Sequence, residues 1–553
     1  MEKWTNDKRK HIAQSIVSLA ERSDDHPDEF VLESFYDYDV IDRFINNKNQ
    51  IVQGSRGMGK THILKYLEKT LGNEVDKTIH CIFIDCSPVG SGGACGLNDN
   101  PEPLDYPFNK PTRFFESFLM RIYNKLHGFF KYQYFEDIRK KDKVFSLLSE
   151  MQNSIFTKSE IIDNSTITAV DGANTAESTH HSGSIAFFKD ANIAKGHNKE
   201  KAKNASKERK ENVRIRYSVT FSNFSFLLEE LLEITNTRIV FLLDEWSFVP
   251  PNIQPYFAEF LRRTLLRIPR VKFKIAVIPQ GNYYQSTING QTIGFAIGDD
   301  IKFELDLDHT YSVDKAPSDI VSFCFGFLCK HISAMLKINI IESELVENMF
   351  ENDRAAFMLV RASEGNPRDF ILLAGKCARG FLSKEGFIIT DKEVIFKARE
   401  LFETSKLRNI TKTARNLLTK LTKYVVYQHQ NRGFLIDQDF LDSSRDLRTL
   451  INSRIIHILK ENIIDYEQSL SGSCALLILN FGTYCEALYA RKPINLFVGE
   501  DVLEKNIFGQ REAKPYDSLL SYDDGNNERK YFVCYVNPYS GNNFDPHFFQ
   551  NES

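Results

Sequence analysis

The feature that most constrains this chain is the octapeptide Gly54-Ser55-Arg56-Gly57-Met58-Gly59-Lys60-Thr61. It has the form GxxxxGK[ST], in which successive backbone N–H groups form a nest for phosphate oxygens at the positive end of a helix dipole. Gln50 to Val52 before it predicts a short strand, and Thr61 to Lys69 after it predicts a helix with one apolar face. This strand, loop and helix predict a nucleoside triphosphate site; the alternative is a glycine-rich turn that caps a helix.

Two side chains of the loop have distinct expected roles. Lys60 is expected to reach the β- and γ-phosphates, and the Thr61 hydroxyl is expected to bind Mg²⁺. The rest of the octapeptide and the adjoining His62 complete the predicted nucleotide contacts. The loop therefore predicts a triphosphate ligand with Mg²⁺ as its cofactor.

A second element of the same site follows much later in the chain. The segment Arg238 to Trp246 predicts a buried strand that places Asp244 and Glu245 at its carboxyl end, where parallel sheets bind ligands. Asp244 is expected to order the magnesium ion through its water shell, and Glu245 to polarise the attacking water. Val271 to Ile278 predicts another strand, and Gln280 after it either senses the γ-phosphate or belongs to a turn. The fold class predicted from these elements is α/β, with the parallel sheet of a P-loop NTPase.

Residues 314–401 read as helical throughout. Within them, Asn366 is suited to cap a helix whose first residue is Pro367. Arg368 would then leave the first turn of that helix. If this helical region folds over the nucleotide, the Arg368 guanidinium can pair with the γ-phosphate and report hydrolysis as a change in lid angle.

The chain changes character after about residue 406. A helix, a short strand, two helices and a hairpin are predicted in that order, over residues 413–428, 434–436, 437–441, 447–459, and 463–466 with 474–481. This order is typical of a winged helix. Arg448, Arg454 and Lys460 lie in or beside its predicted recognition helix, which makes double-stranded DNA a candidate partner. A packing module whose surface carries these cations is the alternative.

At 553 residues the chain is long enough for several domains. We expect a lead-in over residues 1–30, a P-loop domain over 31–311, a helical lid over 312–404, a winged helix over 405–500 and a tail over 501–553. The P-loop domain carries a mobile insertion near 151–218. Its segment from Lys195 to Arg216 holds nine Lys or Arg against three Glu, which fits either a solvated segment or the binding of a polyanion.

The overall composition excludes several classes of protein. A net charge of -4 argues against a chain that coats nucleic acid without specificity. No uninterrupted apolar run approaches the roughly eighteen residues needed to span a bilayer, and the first residues lack a signal-peptide core, so we expect a cytoplasmic protein with no membrane partner. One aromatic segment lies just before the loop, over residues 35–45. It suits either core packing or contact with an adenine base.

The motifs, taken in order, resemble the replication-initiator branch of the AAA+ and STAND P-loop ATPases, which includes the origin-recognition complex and its archaeal relatives. These motifs are the glycine-rich loop, Leu-Leu-Asp244-Glu245, the polar strand end, Gly-Asn-Pro-Arg368 and the winged helix. The run Asp244-Glu245-Trp246-Ser247 and the helix from Gln254 to Arg263 narrow the resemblance to bacterial members of that branch. It covers about residues 30 to 480, and it implies ATP as the ligand, ATP hydrolysis and an AAA+-type helical lid.

One departure from the broader class affects the expected mechanism. No Lys or Arg occurs between Lys274 and Lys302, where such proteins often place an arginine finger. We therefore expect a slow, switch-like ATPase rather than a ring in which neighbours complete each other's sites.

The sequence favours an ATP-hydrolysing switch in DNA transactions or in defence against phage and other mobile DNA. It would engage DNA, a partner effector protein or further copies of itself. The alternative is a nucleotide-gated scaffold or sensor with negligible turnover. A P-loop phosphotransferase is less favoured, because the region after the sheet is an apolar helical bundle.

Overall fold

The structure is a computed structural model, and it falls into two compact units. It describes residues 3–19, 27–72, 78–87, 110–135, 137–155, 157–163, 186–188, 212–218, 221–279, 282–288, 290–313, 317–428, 430–464, 473–492, 494, 520–523, 528–531 and 533–535. The first unit comprises Met1–Ile41, Gln53–Tyr66 and Leu305–Ser553, and the second comprises Asp42–Val52 and Leu67–Glu304. The predicted domain boundaries do not follow this division by contacts, and they stay predictions.

The α-helices are α1 (Asn6–Ser18), α2 (Asp28–Glu33), α3 (Ile41–Phe44), α4 (Lys60–Thr70), α5 (Lys110–Tyr132), α6 (Ile138–Ile155), α7 (Phe221–Thr235), α8 (Gln254–Thr264), α9 (Leu307–Thr310), α10 (Pro317–Leu336), α11 (Glu342–Met349), α12 (Asp353–Ser363), α13 (Pro367–Ser383), α14 (Asp391–Leu401), α15 (Lys412–Leu421), α16 (Gln438–Ser443), α17 (Arg445–Asn452) and α18 (Cys485–Tyr489). Short 3-10 helices cover Trp246–Phe248, Leu407–Asn409 and Phe481–Thr483, and π-helical turns cover Phe402–Lys406 and Thr422–Gln428.

The strands are β1 (Gln50–Gln53), β2 (Ile79–Asp85), β3 (Thr157–Asp163), β4 (Ala186–Phe188), β5 (Asn212–Ser218), β6 (Arg238–Asp244), β7 (Val271–Val277), β8 (Gln285–Ile288), β9 (Gln291–Gly294), β10 (Lys302–Asp306), β11 (Gly433–Asp437), β12 (Ile456–Ile464), β13 (Ser473–Leu479), β14 (Leu520–Asp523), β15 (Glu528–Tyr531) and β16 (Val533–Tyr535).

The predicted α/β fold with a parallel sheet is confirmed. Five strands lie in the order β10-β1-β7-β6-β2, and β6 pairs in parallel with both β2 and β7. In β6 every residue except the first is buried, as expected for a parallel strand covered on both faces. The sheet belongs to the second unit, apart from the last residues of β1 and β10, where the chain passes into the first unit.

Helices α5, α6, α7 and α8 supply most of the apolar core of the second unit. Phe118 and Phe257 meet there edge to face with ring centroids 4.7 Å apart. The sequence predicts one helical region over residues 112–148, but the structure breaks it into α5 and α6. The break comes at a polar segment in which the Asp137 carboxylate accepts a hydrogen bond from the backbone N–H of Arg139 (2.8 Å) and so starts α6.

Helices α10 to α14 form the predicted helical region after the sheet. Among the described residues, only α10 is long and apolar enough to cross a membrane by length and composition, and 67% of its stretch Asp319–Leu336 is buried within the protein, as in an ordinary core helix. The predicted start of α13 is confirmed: Asn366 caps it and Pro367 is its first residue.

The strand before this region ends earlier than predicted. The sequence suggests a strand over residues 301–308, yet β10 stops at Asp306. The Asp306 carboxylate accepts hydrogen bonds from the backbone N–H groups of Asp308 (3.0 Å) and His309 (3.2 Å), and this cap starts α9.

In the C-terminal region the elements follow the predicted order of helix, strand, two helices and hairpin. Strand β13 pairs antiparallel with β11 and β12, and β16 adds a fourth strand on the other side of β11. Of the two helices between the strands, the later one, α17, is shorter than predicted. It ends at Asn452, and Ile456 already belongs to β12. We call residues 412–479 the C-terminal α/β segment, and the winged helix stays a prediction.

The predicted insertion contains three described strands, which form an antiparallel sheet in the order β3-β5-β4. The cationic stretch from Lys195 to Arg216 lies outside the described residues up to residue 211, and its last five residues belong to β5. Its predicted mobility and any binding of polyanions are untested.

Candidate nucleotide-binding site

The loop over residues 54–61 has the backbone of a phosphate nest. Gly57 and Gly59 have φ angles of 92° and 84°, in the left-handed region that favours glycine. Lys60 is the first residue of α4, and its Nζ donates hydrogen bonds to the carbonyl oxygens of Gly54 (2.6 Å) and Ser55 (3.0 Å). The loop thus presents backbone N–H groups at a helix N-terminus, an arrangement suited to an anion.

Asp308 anchors the first residues of the loop. Its Oδ2 atom accepts hydrogen bonds from the backbone N–H (2.7 Å) and the hydroxyl (2.9 Å) of Ser55. Burial and, after it, the Asp306 carboxylate raise the pKa of Asp308 to about 6, against the opposite effect of the Ser55 hydrogen bonds and the Lys60 ammonium. The sequence predicts a strand through Asp308 and so misses this residue; the Asp-x-Asp spacing at the end of β10 indicates a capped turn but not the contact with Ser55.

The start of α13 contacts the outer side of the loop. The Asn366 side-chain amide donates to the Arg56 carbonyl (3.0 Å), and the Arg368 backbone N–H is 3.3 Å from the Gly57 carbonyl. A Cβ atom at Gly57 would lie 2.6 Å from Asn366 Oδ1 and 2.8 Å from Arg368 Cβ. The structure therefore brings Arg368 to the loop through its backbone. Pairing of its guanidinium with a γ-phosphate stays a prediction.

Arg454 reaches the same loop from the C-terminal α/β segment. Its Nη1 atom donates to the Arg56 carbonyl (3.0 Å) and lies 2.9 Å from Asp369 Oδ1. The other Asp369 oxygen pairs with Lys406 Nζ at 2.9 Å. Burial alone would raise the pKa of Asp369, but the Lys406 ammonium and the Arg454 guanidinium together bring it below its usual value.

The predicted DNA-contacting residues do not share one helix. Arg448 lies in α17, and its guanidinium is 3.3 Å from the Ser443 carbonyl. Arg454 follows that helix in a left-handed turn, and Lys460 lies in β12 opposite Leu476. The predicted helix over residues 447–459 is too long: α17 ends at Asn452, so Arg454 lies just beyond it and Lys460 in β12. Their contact with DNA stays a prediction.

His62 is held by the N-terminal part of the first unit. Its Nε2 atom is hydrogen-bonded to the Val31 carbonyl (2.9 Å), and its ring meets Phe35 edge to face. Phe35 also stacks on Tyr66, with ring centroids 4.0 Å apart. These contacts favour packing for the start of the aromatic segment, and a nucleotide contact by His62 is untested.

The acidic pair in the second unit lies at the predicted strand end. Asp244 is the buried last residue of β6, and its carbonyl accepts a hydrogen bond from the Cys86 backbone N–H (3.0 Å). Glu245 has a φ angle of 55°, and its backbone N–H donates to Asp244 Oδ1 (2.9 Å). Because few residues other than glycine adopt this conformation, Glu245 marks a turn that the surrounding structure imposes.

Sequence reasoning overlooked Asp85, which lies beside Asp244 in register at the end of β2. Its carboxylate accepts hydrogen bonds from the backbone N–H (2.8 Å) and hydroxyl (2.9 Å) of Ser87. Burial raises the pKa of the Cys86 thiol, and the Asp244 and Asp85 carboxylates raise it further. The matched strand ends could have revealed the pair, because neighbouring parallel strands end at the same edge.

Gln280 lies outside the described residues. Its neighbour Asn282 occupies the polar strand end and accepts a hydrogen bond from the Ser247 hydroxyl (3.1 Å). The Ser247 hydroxyl is in turn 3.4 Å from the Ile278 backbone nitrogen. These contacts join the end of β7 to the residues that follow the acidic pair.

The arginines of α8 are already engaged within the second unit. Arg262 and Arg263 both bond to the buried Glu259 carboxylate, which also accepts a hydrogen bond from the Gly294 backbone N–H (2.7 Å). Burial alone would raise the pKa of Glu259, but these partners lower it below its usual value. Both guanidinium groups therefore have a structural partner in their own helix.

Within the described ranges, no group of three His, Cys, Asp or Glu side chains is arranged to hold a metal ion. The glycine-rich loop, Asn366, Arg368 and Arg454 meet in the first unit. Asp244 and Glu245 lie with Asp85 and Cys86 in the second.

Comparisons with known proteins bear on the segment that contains the loop. The solved structure of the ORC1 protein of Aeropyrum pernix in complex with DNA is 10% identical, over 80% of this chain and 88% of that chain, with a TM-score of 0.26. That TM-score is low, and the strand order and loop geometry described above define the fold without it. No curated protein matches the chain. The ORC-CDC6-like family model matches residues 19–71, which include the whole glycine-rich loop and α4, and this match confirms the resemblance of the chain to the replication-initiator branch of the AAA+ ATPases.

Proposed function

We propose that this protein is an ATP-binding and ATP-hydrolysing switch of the AAA+ type that acts in DNA transactions or in defence against phage and other mobile DNA. The observation that carries the proposal is the loop itself: two glycines in left-handed conformations followed by Lys60 at the N-terminus of α4. The ORC-CDC6-like match over the same residues supports ATP as the triphosphate.

Hydrolysis is proposed from the acidic pair. β1, which leads into the loop, and β6, which ends in Asp244, belong to the same sheet. In the proposed reaction Lys60 binds the β- and γ-phosphates and Glu245 orients and polarises the attacking water. Both elements must act on one triphosphate, and that joint action is part of the proposal.

The donor set suits Mg²⁺. Thr61 offers a hydroxyl oxygen and Asp244 a carboxylate, and Mg²⁺ prefers a few such oxygens together with water and phosphate. Once bound, the ion would neutralise charge on the β- and γ-phosphates. Thr61 and Asp244 would hold and orient it, directly and through water respectively.

We expect slow turnover, because no arginine occupies the usual position of a finger for the triphosphate. The sequence leaves the usual finger position without a cation, and two of the four arginines before it, Arg262 and Arg263, bond to Glu259 in their own helix. This observation also supports the second candidate function, a nucleotide-gated scaffold or sensor with negligible turnover. DNA engagement is proposed from the element order of the C-terminal α/β segment and from the cations Arg448 and Lys460.

Two variants and one kinetic measurement test the proposal. Lys60→Ala should abolish ATP binding in a fluorescence titration, whereas Glu245→Gln should retain binding and stop phosphate release in a single-turnover assay. ATP binding by wild type without any phosphate release would favour the scaffold. Normal turnover in Glu245→Gln would refute the role given to Glu245, and wild type that does not bind ATP would refute the proposal as a whole.

A further inference from the structure

One backbone oxygen of the glycine-rich loop is the meeting point of two distant side chains. The carbonyl of Arg56 accepts a hydrogen bond from the Asn366 amide and another from the Arg454 guanidinium, each at 3.0 Å. Asn366 caps α13, and Arg454 lies in the C-terminal α/β segment, 398 positions after Arg56. The loop is therefore held from outside by two later parts of the first unit.

The Arg454 guanidinium is itself fixed. Asp369 Oδ1 pairs with its Nη1 atom at 2.9 Å, and Lys406 Nζ bonds both to Asp369 Oδ2 (2.9 Å) and to the Arg454 backbone carbonyl (3.3 Å). The side chains of Asp369 and Lys406 are 3% and 7% exposed. Because separating buried charges from their partners is costly, this network keeps the guanidinium directed at the loop.

The contact has a direct consequence for the phosphate nest. The structure contains no cis peptide bond among the described residues, and in a trans peptide the C=O and the following N–H point in opposite directions. Holding the Arg56 carbonyl outward therefore directs the Gly57 N–H toward the inner side of the loop. That N–H belongs to the set expected to cradle phosphate oxygens.

We propose that Arg454 is a positioning residue for the phosphate-binding loop: it orients the peptide between Arg56 and Gly57, so that ATP affinity depends on the seating of the C-terminal α/β segment. This inference rests on the proposed ATP-binding function and extends it. It assigns Arg454 to nucleotide binding through the protein backbone instead of to DNA contact.

A second buried pair ties the same segment to the other donor. Both Glu364 carboxylate oxygens lie 2.9 Å from Arg432 Nη1, and one of them accepts a hydrogen bond from the Phe481 backbone N–H (3.1 Å). Glu364 precedes Asn366 by two residues. Arg432, in the same segment as Arg454, thus pairs with a residue two positions before Asn366, and we expect both donors to the Arg56 carbonyl to depend on the seating of that segment. By linkage, ATP binding should tighten that segment in return.

The test compares Arg454→Ala and Arg454→Lys with Arg415→Ala in the full chain. Arg415 is a matched control in the same segment, since its guanidinium donates a hydrogen bond to the Leu407 carbonyl at 2.8 Å and the residue has no part in the proposed sites. The dissociation constant for a fluorescent ATP analogue and the melting temperature without nucleotide are measured for each variant. Arg454→Ala should weaken binding about 5- to 150-fold, the range of typical coupling energies. Arg454→Lys should recover part of the loss, and Arg415→Ala should match wild type.

Asn366→Asp provides a second route if Arg454→Ala does not fold. The substitution keeps an oxygen that can cap α13 but removes the amide that donates to the Arg56 carbonyl. It should also weaken binding, and its effect should not add to that of Arg454→Lys, because both act on one acceptor.

The outcomes separate the two levels of the proposal. Wild-type affinity in Arg454→Ala, or a lower melting temperature with unchanged affinity, would overturn the positioning role while leaving ATP binding intact. Absence of ATP binding in wild type would instead remove the proposed function on which this inference rests.

Discussion

The Asp308 carboxylate accepts two hydrogen bonds from Ser55, one from its backbone N–H at 2.7 Å and one from its hydroxyl at 2.9 Å. Asp308 belongs to the short helix that follows the last strand of the sheet, and Ser55 is the second residue of the phosphate-binding loop. The start of the loop is thus tied to a titratable group whose pKa is raised from 3.8 to about 6, chiefly by burial and next by Asp306.

This raised pKa predicts a pH dependence of stability. The folded protein binds the Asp308 proton more tightly than the unfolded chain does, so this group stabilises the fold at low pH. Its contribution is lost as pH rises from about 4 to about 6. A shift of this size corresponds to at most about 3 kcal/mol. The free energy of unfolding in urea, measured from pH 4.5 to pH 7, should fall less steeply in Asp308→Asn than in wild type. Ser55→Ala is the control, because it keeps the titrating carboxyl; identical slopes in wild type and Asp308→Asn would contradict the assignment.

Gly57 cannot be replaced by alanine without loss. A Cβ atom there would lie 2.6 Å from Asn366 Oδ1, and the φ angle of 92° is unfavourable for any other residue. We expect Gly57→Ala to cost about 2–4 kcal/mol of stability, from the left-handed backbone and the crowding together, and to weaken ATP binding. Gly128→Ala is a suitable control in thermal unfolding, since a Cβ atom at this helical glycine meets nothing within 4 Å. It should raise stability by about 0.5–1 kcal/mol. Equal melting temperatures for the two variants would show that the close contact with α13 is absent in solution.

The buried pair of Arg432 and Glu364 should matter far more than an exposed pair. Arg432 is fully buried and the Glu364 side chain is 4% exposed, so Arg432→Met leaves a buried carboxylate without this partner. The expected loss is about 3–5 kcal/mol in urea unfolding. The exposed pair of Arg399 and Glu486, with its atoms 2.9 Å apart, offers the comparison, and Arg399→Ala should cost less than about 1 kcal/mol. Similar losses in the two variants would argue against a buried, water-excluded pair.

Any DNA binding should depend on Arg448 and Lys460 but not on Arg454. Each cation that neutralises a phosphate contributes about one unit to the slope of log affinity against log salt concentration. The combined change Arg448→Ala and Lys460→Ala should therefore reduce that slope by about 2 in fluorescence anisotropy with duplex DNA. Arg454→Ala should leave it unchanged, because the guanidinium is held by the Arg56 carbonyl and Asp369. If the double variant binds with an unaltered slope, the stretch from Lys195 to Arg216 becomes the next candidate.

The parts of the fold that local pattern determines were predictable from the sequence. The apolar run Ile79 to Asp85 predicts a buried strand with the bounds of β2, and β6 ends at Asp244 as expected, because continuous apolar runs and strand-end carboxylates are read from neighbours in the chain. The cap of α13 was likewise evident from Asn366 and Pro367.

The errors arose where one pattern suits two structures. The run Ile455-Ile456-His457-Ile458 satisfies both helical and extended periodicity, so the sequence predicts a helix that continues past the end of α17. The alternating pattern of residues 301–308 predicts a strand through Asp308, but the cap at Asp306 ends β10 there.

The roles of Asp308 and Arg454 could not be inferred from the sequence. Asp308 meets Ser55 across 253 positions and Arg454 meets Arg56 across 398, and neither contact follows a repeat or a motif. Both arise from tertiary packing alone. An arginine just after a predicted recognition helix was more naturally interpreted as a DNA contact than as a support for a loop.

Arg454 contacts the loop through a main-chain oxygen, the carbonyl of Arg56. Every amino acid supplies that oxygen, so the side chain at position 56 can change from one lineage to another while the contact survives. Asn366 and Arg454 have much less freedom, because the contact depends on donor groups in their side chains. Evolution can therefore retune the outer surface of the loop at position 56 and still keep its backbone orientation, provided that two residues far away in the chain are left in place.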